Sequence, residues 1–139
     1  MKLSNQEEIL EFGRKLGREA QPDDIFCLFG PLGVGKTTLV KGIAEGSIGI
    51  DCALVNSPTF PILNIYEGLL EKRLYHFDLY RLDNEEAFLR LGFEEFLFGG
   101  ELCCIEWSEK IAPLLSQFTT KKVTLQFYGN NERLITLST

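Results

Sequence analysis

The sequence predicts a three-layered α/β domain built on a largely parallel sheet with antiparallel hairpin additions. Three observations lead there. A short apolar run, Ile25-Phe26-Cys27-Leu28-Phe29, ends in a glycine-rich stretch that opens a helix, the pattern of a strand buried on both faces. Strand-like and helix-like runs alternate down the rest of the chain, as a crossover-connected sheet requires. Two pairs of strand-like runs, 60–66 with 73–80 and 121–128 with 133–137, are joined by short connections, and these supply the antiparallel additions.

The elements follow in order. Ser4 with Glu7 three residues on reads as a capping box, and Ile9, Leu10, Phe12 and Leu16 share a helical face until Pro22; this predicts a helix over 4–20. The strand at 25–29 leads through glycines into a helix over 36–45. A polar Ser57-Pro58-Thr59 loop precedes the first strand pair, whose connection holds Gly68. Residues 84–98 read as helical with a break near Gly92, and Gly99-Gly100 ends them before the apolar run 102–105. A helix near 108–116, the strand 121–128, a turn at Gly129-Asn130-Asn131 and the strand 133–137 complete the chain.

At 139 residues, 45% of them hydrophobic, residues 1–139 are expected to form one domain with a buried core. The formal net charge of −6 excludes a large basic surface for a phosphate backbone, so any nucleic acid is expected to be held by partners. Cys27, Cys52, Cys103 and Cys104 have no zinc-site spacing, and three lie in apolar runs; they read as reduced, buried thiols. No run of about 18 apolar residues spans a membrane, and the acidic start of the chain is unlike a signal peptide. A cytoplasmic, membrane-free protein is expected.

Gly30-Pro31-Leu32-Gly33-Val34-Gly35-Lys36-Thr37 matches G-x-x-x-x-G-K-[ST], between an apolar strand and a helix. Glycines there let successive backbone N–H groups face phosphate oxygens, and the helix start adds its positive dipole end. Lys36 is expected to reach the β- and γ-phosphates of ATP, the Thr37 hydroxyl to ligate Mg²⁺, and Thr38 to bond the α-phosphate. A glycine-rich turn that merely joined strand to helix would not need lysine and threonine at those offsets.

Such a loop needs an acidic residue at the end of a second buried strand, and Leu102-Cys103-Cys104-Ile105-Glu106-Trp107 supplies Glu106. The alternative is an exposed carboxylate that only ends a strand; Trp107 is either core or a ring over the nucleotide. In His76-Phe77-Asp78-Leu79-Tyr80-Arg81, alternation puts His76, Asp78 and Tyr80 on one face. Asp78 reads as orienting the attacking water or holding the metal's outer shell, and Arg81 as a phosphate contact; a structural ion pair is the competing reading. His76, the sole histidine, is assigned no acid or base role. Ser57-Pro58-Thr59-Phe60 reads either as a switch that senses the γ-phosphate or as a polar turn.

Together GPLGVGKTTL, SPTF, HFDLYRL and IEWSE, with the Leu91-Gly92-Phe93-Glu94-Glu95 run, resemble the bacterial TsaE (YjeE) family of small P-loop ATPases over about residues 4–128. The resemblance implies a P-loop NTPase fold and weak ATP hydrolysis that supports threonylcarbamoyladenosine formation at position 37 of tRNAs reading codons that begin with A. It implies TsaD and TsaB as partners, the transferase chemistry lying with TsaD, and tRNA met indirectly through the complex. It places Gly33, Val34, Gly35, Lys36, Thr37 and Thr38 on the phosphates, Thr37 and Glu106 on Mg²⁺, and Lys36, Asp78 and Glu106 in catalysis. Trp107 would lie close to the nucleotide, and Gln6 and Tyr128 close to the adenine. Pro31 departs from the acidic residue usual in the family after the first loop glycine.

Rival readings are a small GTPase, a nucleotide or metabolite kinase, and a non-hydrolysing scaffold. No N-K-x-D motif follows the loop, which argues against GTP. A kinase needs an acceptor pocket and an arginine-bearing lid, for which the chain is short and Arg90 isolated. A scaffold differs only in whether hydrolysis belongs to the cycle.

Overall fold

The computed structural model describes residues 1–58 and 62–138. Its centre is a seven-stranded sheet of order β1-β7-β6-β2-β5-β4-β3. The strands are β1 Lys2–Leu3, β2 Ile25–Phe29, β3 Leu63–Glu67, β4 Arg73–Asp78, β5 Leu102–Glu106, β6 Lys121–Tyr128 and β7 Glu132–Ser138. The four central strands β6, β2, β5 and β4 run parallel, while β3 joins one side and β7 and β1 the other in antiparallel pairing. This is the three-layer α/β arrangement expected from the sequence.

Helices α1 Gln6–Glu19 and α2 Lys36–Ile48 cover one face. They press backbone to backbone. A Cβ added at Gly13 would sit 2.5 Å from the Leu39 carbonyl oxygen, and Cβ atoms at Gly17, Gly42 and Gly46 would collide with the carbonyls of Ile43, Leu10 and Arg14. The four-residue spacing on each helix puts its glycines on one stripe. Arg14 of α1 pairs with Glu45 of α2 beside that seam. Below it Phe26, Leu28, Val123 and Leu125 of the sheet close the core.

The other face carries short pieces only: α3 Glu85–Arg90, α4 Glu94–Leu97 and α5 Ala112–Leu115. Rings fill this layer. Phe77 of β4 lies 5.6 Å from Phe88 and 6.0 Å from Phe93, centroid to centroid, and Phe96 lies 5.8 Å from Phe93. Edge and tilted contacts of this kind add to the burial of area.

Several boundaries differ from expectation for local reasons. Asn5, not Ser4, caps α1: its side chain accepts from the Glu8 N–H at 2.9 Å, while Glu8 reaches back to the Ser4 N–H. The cap motif is present, one residue later than expected. Helix α2 runs on to Ile48 and stops at Gly49, whose φ of 73° suits a residue without Cβ. The strand expected over 60–66 is described from Leu63 to Glu67, and Phe60 lies outside the described residues. Strand β4 ends at Asp78, not 80, because Tyr80 N–H turns back to Asp78 Oδ1. The helix expected over 108–116 is a 3₁₀ turn, Ser108–Ile111, followed by α5. Strand β1 was not expected; its two residues pair with Leu134 and Arg133. All four cysteines are free, with Cys27, Cys103 and Cys104 buried and Cys52 partly so.

Candidate active site

The loop between β2 and α2 turns on residues without Cβ. Gly30 has φ 148°, and a Cβ there would meet the Leu125 carbonyl oxygen at 2.6 Å; Gly35, with φ 119°, caps α2 in the left-handed region. Other residues rarely adopt such angles. The loop thereby opens a pocket of about 290 Å³ lined by Gly33, Gly35, Lys36, Thr37, Thr38, Ser57, Asp78, Glu106 and Trp107, with Leu32 at its mouth. Val34 points away into the core; its N–H bonds the Pro31 carbonyl and its carbonyl accepts from Arg133 Nε at 3.0 Å.

Lys36 is 4% exposed. Its ammonium bonds the Gly30 carbonyl oxygen at 2.5 Å and lies 3.9 Å above the Trp107 ring centroid. Burial pushes the amine below the usual lysine range, against the pull of Glu106, Asp78 and Glu109. A cation so placed gains from an anion brought into the loop.

Parallel pairing puts Asp78 of β4 directly beside Glu106 of β5 at the carboxyl ends of the strands. Glu106, 3% exposed, accepts from Thr37 Oγ1 at 3.1 and 3.4 Å and from His76 Nε2–H at 2.6 Å. With Thr37 donating to Glu106, the Ser57 hydroxyl donates to Thr37 Oγ1 at 2.7 Å. His76, Glu106, Thr37 and Ser57 thus form one chain of bonds, with His76 Nδ1 enclosed and without a hydrogen-bond partner among the described residues. Burial raises the Asp78 carboxyl above the usual aspartate range, the Tyr80 N–H lowers it, and Glu106 raises it again. Trp107 follows Glu106 with φ 60°, a left-handed backbone rare for a residue with Cβ, and this swings its ring over Lys36 and against Tyr80 at 5.1 Å.

Behind the loop a second hollow, about 240 Å³, is lined by Asn5, Gln6, Ile9, Gly33, Val34, Gly35, Thr38, Asn131 and Arg133. Gln6 Nε2 donates to Thr38 Oγ1 at 3.1 Å, so α1 reaches the loop. Tyr128 lines neither hollow; it lies exposed at the end of β6, with Lys2 Nζ 5.0 Å from its ring centroid. Arg81 is exposed and makes no ion pair among the described residues. Thr59 and Phe60 of the expected switch lie outside the described residues, while Ser57 touches Thr37. Glu106 is buried and bonded, which removes the exposed-carboxylate alternative. His76 and Arg133 were not singled out for the site. The alternation that placed His76 on the Asp78 face was the one sign for the first, and nothing local marked the second.

The oxygen donors of Thr37, Ser57, Asp78 and Glu106 suit a hard cation such as Mg²⁺, and the glycine cradle with its buried lysine suits a polyphosphate.

A family model described as threonylcarbamoyl adenosine biosynthesis protein TsaE matches residues 3–135. Curated tRNA threonylcarbamoyladenosine biosynthesis proteins TsaE are similar to the chain. That of Bacillus subtilis is 39% identical over 96% of this chain and 81% of its own length, and that of Treponema pallidum 36% over 95% and 94%. That of Rickettsia conorii is 39% identical over 99% and 76%. The crystal structure of YdiB from Bacillus superposes with a TM-score of 0.78 at 33% identity, covering 99% of this chain and 82% of that one.

Proposed function

The chain belongs to the TsaE family, and we propose that it binds ATP with Mg²⁺ at the β2–α2 loop and hydrolyses it weakly. By doing so it supports threonylcarbamoyladenosine formation in tRNA together with TsaD-like and TsaB-like proteins, meeting tRNA only through them. The observation that supports this reading best is the contact of Thr37 with Glu106 and Ser57 beside a lysine that is buried yet faces the cavity.

Backbone N–H groups of Gly33 and of Gly35 to Thr38, with the ammonium of Lys36, hold the phosphates, and Gln6 ties α1 to that loop through Thr38. Thr37 Oγ1 and a Glu106 oxygen would hold Mg²⁺, which would supply positive charge against that of the phosphates. His76 donates to Glu106 and fixes its carboxylate toward Thr37. Asp78 orients the attacking water through a carboxylate oxygen, and its raised pKa makes it a better proton acceptor than an exposed aspartate. Trp107 covers Lys36 and keeps bulk water from it. Lys36 is the one cation lining this pocket among the described residues; so little fixed positive charge suits weak turnover alone and a larger effect in a complex.

The test is threonylcarbamoyladenosine yield on tRNA over many turnovers, with TsaD, TsaB and the carbamoyl donor, with and without this protein and Mg·ATP. Yield that depends on this chain and fails with Lys36→Ala supports the reading. Yield independent of it, with ATP still bound, leaves a P-loop ATPase of another process.

A further inference from the structure

The peptide between Val34 and Gly35 has no local reason to keep one orientation. A planar trans peptide can turn over as a unit, through ψ of the residue before it and φ of the residue after it. Gly35, at φ 119°, is a residue for which either sign of φ is open. The two orientations differ in polarity toward an anion. With the Gly35 N–H turned into the cavity of Lys36 and Thr37, the loop offers a donor; turned over, it offers the Val34 carbonyl oxygen, which repels a phosphate. The group that holds the peptide lies 99 residues further along the chain. Arg133 Nε donates to the Val34 carbonyl oxygen at 3.0 Å, and Nη1 donates to the Glu132 carbonyl oxygen at 3.2 Å. In a trans peptide the C=O and N–H point in opposite directions, so a carbonyl drawn to Arg133 sends the Gly35 N–H the other way. No backbone carbonyl accepts from that N–H among the described residues.

We infer that Arg133 is a positioning residue for anion binding: through the Val34 carbonyl it keeps the Val34–Gly35 peptide turned with its N–H toward the cavity. Arg133 is itself held on both sides. Phe127 of β6 is its cross-strand partner, with the guanidinium 4.5 Å from the ring centroid, and Leu3 of β1 pairs with it across the other edge of β7. The β6–β7 hairpin lends no side chain to the cavity of Lys36, yet by this contact it sets what the loop presents there. That the anion is a nucleotide polyphosphate rests on the reading above, whereas the orientation of the peptide does not.

The experiment compares Arg133→Gln with Arg133→Met in the full chain. Gln Nε2 stands at the same place along the side chain as Arg Nε, so the first variant keeps the donor and loses the charge. The second keeps an apolar stem against Phe127 and has no donor. Calorimetry measures affinity for Mg·ATP and for Mg·tripolyphosphate, which has no base or sugar, and NMR relaxation dispersion without ligand follows the Gly35 amide. In the parent and in Arg133→Gln that amide should be free of exchange, and their affinities should agree within about 3-fold, the share of a screened charge. In Arg133→Met it should exchange between two states, and both affinities should fall about 10-fold, as when about a tenth of the loops keep the competent orientation. A scalar coupling between Arg133 Nε and the Val34 carbonyl carbon in the parent reads the bond directly, and its absence overturns the proposal whatever the variants do. The proposal is also overturned if Arg133→Gln loses as much affinity as Arg133→Met, which makes Arg133 a charge alone. Loss of ATP with tripolyphosphate kept overturns it too, since Arg133 then meets the nucleoside, as does an Arg133→Met that binds both ligands like the parent. Failure of the nucleotide reading would show separately, as a parent that binds neither ligand while the Gly35 contrast between the two variants persists.

Discussion

The two faces of the sheet are covered in opposite ways. On one, α1 and α2 meet through glycines with no side chain between their backbones; on the other, three short helices stand off on a bed of phenylalanine rings. The loop, Thr37 and the His76–Glu106 pair belong to the glycine face. Backbone contact leaves no rotamer to adjust, so the helix that carries Lys36 and Thr37 is held to a fixed height above the strands. Ring packing can shift by small rotations; it supports Asp78 from behind through Phe77 and reaches the loop through Trp107, which packs on this layer and lies over Lys36.

Gly42→Val should show the largest effect, because its Cβ would collide with the Leu10 carbonyl and neither backbone can withdraw. A loss of more than about 4 kcal/mol is expected, in the range that unfolds a domain of this size, and urea denaturation measures it. If the variant folds with near-parent stability, the contrast between the faces is void. Phe88→Ala should cost about 3–5 kcal/mol by the same measurement. It sharpens the comparison, because under conditions where the variant is folded its ATP affinity should stay within about 2-fold of the parent, since Phe88 lines neither hollow at the loop. Lys36→Ala acts the other way round: ATP affinity by calorimetry should fall at least about 100-fold, as expected for loss of a buried charge-assisted contact, while thermal stability holds or rises, since a desolvated cation is removed.

The smallest effect is a pH slope. Asp78 has a raised carboxyl in the folded state, so the folded chain binds that proton more tightly than the unfolded one. Its contribution to stability is therefore best at low pH and declines as pH rises from the unfolded value through the folded one. Asp78→Asn should remove that decline in urea titrations between about pH 4 and 7. It should also lower ATP turnover about 10²-fold, the usual size of a general-base contribution, with binding retained. A stability difference that does not change with pH would mean that Asp78 is not desolvated.

The glycine loop, Glu106 and Asp78 were legible in the sequence because each depends on a local pattern: a loop motif between strand and helix, a carboxylate at the end of an apolar run, a polar alternation. His76 was visible as a residue but not as a partner, since its bond to Glu106 joins strands 30 residues apart. The seam was hidden differently. Gly13, Gly17, Gly42 and Gly46 were in view, yet glycine within a helix reads locally as a weakness, and only the crossing of α1 over α2 makes it a requirement. Trp107 gave no sign of its left-handed backbone, which belongs to glycine or asparagine by propensity. The shift of the α1 cap from Ser4 to Asn5 reflects two good capping residues side by side, and Glu8 serves both.

The seam also shapes what change the chain can accept. Each of its four positions is a residue for which any replacement adds at least one carbon, so no conservative substitution exists and the severity of a variant does not scale with its chemistry. In a saturation library selected for activity, Gly13, Gly17, Gly42 and Gly46 would return as glycine alone, as invariant as the loop glycines although none of the four lines the cavity. A residue-by-residue map of tolerance would therefore draw two sites on this protein, one that meets ligand and one that meets only itself.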